Sequence, residues 1–153
     1  MKQFLTIVAF LAAFSVSGIG SAASDRGSAD EAVAMVKKVI ADIKKNGKDK
    51  VVQEIQNQTP TYKDRDLYIT ISTLEGMNLA NGANPKIAGK NMIDIKDADG
   101  KLFQRERIEL AKKKGSGWQD YKWPDPITKE IQQKSLYFER YEDVIVGCGI
   151  YKK

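Results

Sequence analysis

The sequence predicts an α+β domain in which N-terminal helices pack on a five-stranded antiparallel sheet. Three observations lead there. Apolar residues recur at helical spacing through Ala32, Val36, Val39, Ile40 and Ile43. Leu67, Ile69 and Ile71 then alternate with Tyr68, Thr70 and Ser72, the period of a strand. Finally, three strand-like segments (about 117–123, 134–141 and 144–151) crowd the last third of the chain, with Glu142-Asp143 short enough to join the last two by a tight turn.

The elements follow in order. Lys2, the apolar run Phe4 to Phe14, the small residues Ser15 to Gly20 and the A-x-A-like Ser21-Ala22-Ala23 form the pattern of a secretory signal peptide over residues 1–23. The run is too short to span a bilayer, which needs roughly 20 apolar residues. Residues 24–153 are then expected to form one domain, long enough to bury a core without staples. Export makes the bacterial periplasm the expected compartment, with no membrane span after signal cleavage. Ser28-Ala-Asp-Glu31 reads as a capping box opening the first helix, and Asn46-Gly47 stops it. A second helix is expected from Asp49 to about Asn57, ended by Thr59-Pro60. The strand at 67–72 turns at Glu75-Gly76 into a return strand, Met77 to Asn81. Loops at 81–85, 88–90 and 97–100 precede a helix from Leu102 to Lys114, which Gly115-Ser-Gly117 breaks. The order is α-α-β-β-α-β-β-β.

Composition excludes several chemistries. There is no histidine and one cysteine, Cys148, so zinc sites, His-based triads and an intramolecular disulfide are all ruled out. Cys148 lies in the apolar run Val144 to Ile150 and reads as a core residue. The net charge is +5, but the one dense basic run, Lys112-Lys113-Lys114, sits where a helix C-terminus favours cations. Together with export this argues against nucleic acid as a partner. Asp97-Ala-Asp99-Gly100 resembles the start of a calcium loop, but the twelfth position is Ile108 rather than a bidentate Glu, so a turn is expected. Nothing supplies an enzyme's site: no metal cluster, no Gly-x-Ser-x-Gly elbow, and Glu106 with Glu109 reads as a solvated helix face. No cofactor is expected.

Seven segments in a fixed order carry a resemblance: Asp66-Leu-Tyr-Ile, Leu79-Ala-Asn-Gly-Ala-Asn-Pro, Gly89-Lys-Asn-Met, Asp97-Ala-Asp-Gly-Lys, Gly117-Trp-Gln-Asp-Tyr-Lys-Trp-Pro-Asp-Pro, Lys134-Ser-Leu-Tyr and Gly147-Cys-Gly-Ile-Tyr. Through them the chain resembles the single Cache domain family, type 2, over nearly all of residues 24–153. The resemblance implies a PAS-like fold with a long N-terminal helix on the sheet and a ligand pocket between sheet and loops. It also implies extracytoplasmic sensing of small molecules, often short carboxylic acids. Where relatives commonly read Ala-His-Gly-x-Asn-Pro, this chain has Asn81, which can hydrogen-bond but cannot become cationic. Family domains usually precede a transmitter module. None follows here, so a membrane sensor or transporter is the expected partner.

A carboxylate site needs one cation and several donors in a partly dry cleft. Lys134 supplies the cation. Tyr121, Trp123, Tyr137, Trp118, Tyr68 and Asn81 are the candidate walls and donors. The pleat divides them, since Tyr121 and Trp123 share one face of a strand while Trp118 takes the other, and Lys134 and Tyr137 are opposed. Tyr121, Trp123 and Lys134 therefore rank first, with Lys134 expected to open its strand. The alternative is a fold kept for structural or protein-interaction purposes, without a ligand.

Overall fold

The computed structural model describes residues 25–152; the expected signal segment, residues 1–23, lies outside them. The elements are α1 (Ala29–Asn46), α2 (Lys48–Gln56), β1 (Lys63–Asp64), β2 (Leu67–Thr73), β3 (Asn78–Asn81), α3 (Phe103–Lys114), β4 (Ser116–Pro124), β5 (Ile131–Tyr141) and β6 (Val144–Tyr151). The α+β class and its order hold, but the sheet has six strands rather than five. The additional one, β1, is two residues long and too short to show alternation in sequence. Strands run β1-β2-β6-β5-β4, all neighbours antiparallel, and β3 pairs with β2 beside β1.

Local chemistry accounts for the ends of α1. The Ser28 hydroxyl accepts from the Glu31 backbone N–H at 3.3 Å, and the Glu31 carboxylate accepts from the Ser28 N–H at 2.7 Å, closing the capping box. Gly47 takes φ 89° and ends the helix. α3 stops at Gly115, whose φ is 78°, directly after the three lysines.

The two faces of the sheet are chemically distinct. On one, Ala32, Val36, Val39, Ile40 and Ile43 of α1, with Val51 and Ile55 of α2, pack on Leu67, Ile69, Ile71, Val144, Val146 and Cys148. Each buried valine, leucine and isoleucine among them contributes roughly 1.5–3 kcal/mol by burial. Cys148 is fully buried there, and burial pushes its thiol up to about 12, so it is an inert core residue. On the other face, α3 and the segment before it cover Leu136, Phe138, Ile145 and Tyr121 with Phe103, Ile108, Ala111 and Met92. This second face carries the site.

Two ties fix the covering segments. Asp97 accepts from the backbone N–H groups of Asp99 (3.0 Å), Lys101 (2.9 Å) and Lys122 (2.9 Å), so the calcium-like sequence is a turn stapled to β4. Arg26 donates to both Asp66 and Asp125, two fully buried carboxylates, and so joins the N-terminal segment to the start of β2 and to the β4–β5 loop. Lys134 lies fourth in β5, which begins at Ile131, so it sits inside the sheet and does not open its strand. It fits because its diagonal neighbour on β6, Gly149, has no side chain: a Cβ there would lie 2.5 Å from Lys134 Cε, 2.9 Å from the Ser135 carbonyl and 3.1 Å from Leu136 Cα. Backbone cannot move aside as a flexible side chain can. Gly149→Ala is accordingly expected to cost about 1–3 kcal/mol, read as a lower urea midpoint; an unchanged midpoint would show that the approach is not tight.

Candidate functional site

β-Strand alternation sets the site. Tyr68, Thr70 and Ser72 of β2 face away from α1, as do Lys134 and Leu136 of β5 and Gln119, Tyr121 and Trp123 of β4. The register places Tyr121 opposite Lys134, and Lys134 opposite Tyr151. Asn78 and Asn81 arrive from β3, and Phe103, Gln104 and Arg107 close the space from α3. All of these but Ser72, Gln119, Leu136 and Tyr151 line, with Ile87 and Met92, a cavity of about 20 Å³, room for one water-sized group. Tyr68, Asn81 and Trp123 also line an outer groove of about 280 Å³ between the Asn81–Asn84 loop and the Pro124–Lys129 loop. These three residues therefore partition the inner cavity from the groove.

Lys134 is the centre of the inner cavity. Its side chain is fully buried. Nζ lies 3.9 Å from the centroid of the Tyr68 ring and 4.8 Å from that of Tyr151, and it donates to the Tyr151 hydroxyl at 3.3 Å. Tyr151 gives its own proton to the Pro124 carbonyl at 2.8 Å, so at 3.2 Å the Tyr68 hydroxyl donates to Tyr151. No carboxylate of the described residues pairs with the amine. Burial pushes Lys134 down to about 7, and the positive charge of Arg107 acts in the same direction.

The aromatic wall is ordered by stacking. Phe103 and Tyr121 stack with centroids 4.7 Å apart and planes 10° from parallel, and Trp123 meets Phe103 edge-on at 5.2 Å. The Asn81 side-chain Oδ1 accepts from the backbone N–H groups of Ala83 (3.0 Å) and Asn84 (2.8 Å), which holds the loop at the groove's rim.

Of the seven residues singled out in sequence, Tyr68, Asn81, Tyr121, Trp123 and Lys134 line this cavity, and Tyr137 and Trp118 do not. Those two stand opposite each other on the other face of the sheet, ring centroids 5.5 Å apart. Tyr137 packs against the α1 core and donates to Glu139 at 3.1 Å, while Trp118 is 41% exposed. The physical reason is the pleat: each is an odd number of residues from its cavity-lining neighbour on the same strand. Sequence reasoning missed Tyr151, Asn78, Thr70, Gln104 and Arg107. The available signal was in α3, where Gln104 and Arg107 stand three apart, one helical step along the buried side.

Comparison with known proteins places this geometry. The family model for single Cache domain 2 matches residues 21–153, and the chain belongs to that family. It is 31% identical over 90 residues to the methyl-accepting chemotaxis protein McpP of Pseudomonas putida, covering 58% of this chain and 16% of that protein. It is 30% identical over 89 residues to the sensor histidine kinase MctS of Rhizobium johnstonii, covering 57% and 19%. The chain thus spans less than a fifth of these relatives. Among solved structures, a Cache chemosensory domain studied for carboxylic acid recognition superposes with a TM-score of 0.69 at 23% identity, covering 81% of this chain and 92% of that one. A methyl-accepting chemotaxis protein of Vibrio parahaemolyticus gives 0.69 at 24% identity, covering 80% and 86%. The fold is that of Cache sensory domains. Among the described residues no helix is long and apolar enough to cross a membrane.

The depressed Lys134 has a stability consequence. In the unfolded chain its amine has the ordinary value of 10.5, against about 7 when folded. Between those values the unfolded chain holds a proton that the folded one lacks, so this residue makes the fold more stable as pH rises through that window. Lys134→Met keeps the length and removes the amine. The variant is expected to melt above the parent by about 4 °C or more at pH 6.5, with the gap closing toward pH 10. A variant that melts lower at pH 6.5 would contradict the burial penalty.

Proposed function

We propose that this chain is an exported, periplasmic and non-enzymatic sensory domain that binds a short organic acid. One observation carries the reading: a fully buried lysine, flanked by tyrosine rings and lacking a carboxylate partner among the described residues. Such an amine is a charge deficit that an incoming carboxylate fills. Tyr68, Tyr121, Trp123 and Asn81 supply apolar wall and hydrogen-bonding groups around it. The likeness to a Cache domain studied for carboxylic acid recognition supports the ligand class. Kinship to a chemotaxis protein and a sensor kinase supports a signalling role, with a membrane sensor or transporter as the partner that reads the liganded state. The signal-like pattern of residues 1–23 supports export.

The tightness of the inner cavity, about 20 Å³, favours a second reading, in which the fold serves structure or protein interaction without a ligand. Thermal shift separates the two. A short monocarboxylate such as propionate at about 100 times its dissociation constant should stabilise the domain by roughly 2.7 kcal/mol, and Lys134→Met should abolish the shift. If no short carboxylate moves the melting temperature, the second reading stands.

Binding should also depend on pH. A carboxylate beside Lys134 raises the amine's affinity for a proton, so binding takes one up wherever the free protein is neutral at that site. Affinity is expected to fall about tenfold per pH unit above pH 7, measurable by calorimetry from pH 6 to 9. A flat profile over that range would remove Lys134 from the ligand's contacts.

A further inference from the structure

Arg107 is a second buried cation in the same cavity, and the sheet does not account for it. It is 4% exposed, on the side of α3 that faces the sheet. Its Nε donates to Gln119 Oε1 at 3.0 Å and its Nη1 to Gln104 Oε1 at 3.3 Å, both neutral acceptors. The guanidinium carbon lies 5.1 Å from the centroid of the Tyr121 ring and 5.6 Å from that of Phe103. Its Nη2 is buried with no hydrogen-bond partner among the described residues. A buried donor without an acceptor is rare and costly in a folded protein.

The nearby acids are already committed elsewhere. Glu106 pairs with Lys101 at 2.8 Å and accepts from Gln119 Nε2 at 2.5 Å. Asp66 and Asp125 share Arg26. The oxygens to which Arg107 donates are therefore both neutral, and aromatic faces flank its guanidinium. A monocarboxylate brings one negative charge to the two cations, and a dicarboxylate brings two. Both cations line the same cavity, and its wall of Tyr68, Asn81 and Trp123 must give way toward the outer groove to admit an acid larger than a water.

We propose that the ligand of this site is a compact dianion, a short dicarboxylate, held by Lys134 at one end and by Arg107 at the other. This rests on the carboxylate-binding reading above and names its ligand class. One carboxylate replaces the missing acid beside Lys134. The other takes the free Nη2 of Arg107, with Gln104 and Gln119 fixing the guanidinium's plane as the carboxylate arrives. A half turn of the Asn78 amide, whose Oδ1 is also buried without a partner, would turn its N–H₂ toward the same space while its oxygen accepts from Thr70.

Titration calorimetry at pH 7 with malonate and propionate, which share a carbon count, tests the assignment. Malonate is expected to bind the parent chain about 10-fold or more tightly than propionate, and Arg107→Met to weaken malonate by a similar factor. Propionate should stay within about threefold in that variant, because Lys134 is untouched. Propionate binding as tightly as malonate overturns the dianion while leaving a carboxylate site standing. So does an Arg107→Met variant that weakens both acids alike. If neither acid binds the parent, this inference fails and the carboxylate reading with it. Should the variant not fold, the malonate-to-propionate ratio of the parent still decides.

Discussion

A lysine amine held inside the sheet, paired with no carboxylate among the described residues, is the constraint on which the rest of the site depends. Lys134 lies fully buried under the rings of Tyr68 and Tyr151. Such a group is tolerated when its surroundings are polarisable and hydrogen-bonded and when it can give up its proton. The fold provides all three. The two tyrosines offer ring faces, the Tyr151 hydroxyl accepts from Nζ, and burial draws the amine down to about 7. Space comes from Gly149, where even one carbon would collide with the lysine's own chain and with strand backbone. The glycine of a Gly-Cys-Gly run, ordinary in a strand, is thus the condition for a charge in the core.

The same sheet separates two tasks by its pleat. The face toward α1 and α2 is filled with aliphatic residues and holds Cys148, Tyr137 and Ile150 as packing. The opposite face concentrates the polar and aromatic groups: Lys134, Tyr68, Tyr121, Trp123, and from α3 Gln104 and Arg107. Stability and recognition therefore rest on alternate residues of the same strands. Arg26 adds the long-range link, tying the segment ahead of α1 to the carboxylates at the start of β2 and in the β4–β5 loop, which borders the outer groove. That link gives the groove's rim a mechanical connection to the N-terminal helix. The partition formed by Tyr68, Asn81 and Trp123 stands between that groove and the buried lysine.

Much of this was legible in the residues. Ser28 and Glu31 mark the helix start because both halves of their capping box are local in sequence. The strands of the last third read correctly because tyrosine, tryptophan and β-branched residues fill them, and the pleat alone opposes Trp118 to Tyr121 and Tyr137 to Lys134. Three features were not legible. β1 is too short to carry a pattern and exists only because β2 is there to pair with it. Arg107 stands where a helical stripe continues from Phe103, but its sequence neighbours cannot say which face of the sheet α3 covers. Only that placement turns a helix residue of ordinary appearance into a second cation across a small cavity from Lys134. Strand starts were also misjudged for a physical reason: Ile131, Gln132 and Gln133 look like loop, yet they pair with Pro124, Trp123 and Lys122 and move Lys134 from a strand end to its interior.

The site turns on the protonation state of one buried amine, and nuclear magnetic resonance reads it directly. With lysine carbon-labelled at Cε, the Lys134 signal is followed through a pH titration, assigned by its loss in Lys134→Met, with and without saturating malonate. The account predicts an apo midpoint near 7 rather than the ordinary 10.5, moving up by at least about one unit on saturation, since each unit is about 1.4 kcal/mol of preference for the charged form. A Lys134 signal that titrates with the surface lysines near 10.5, and does not respond to the acid, would contradict it.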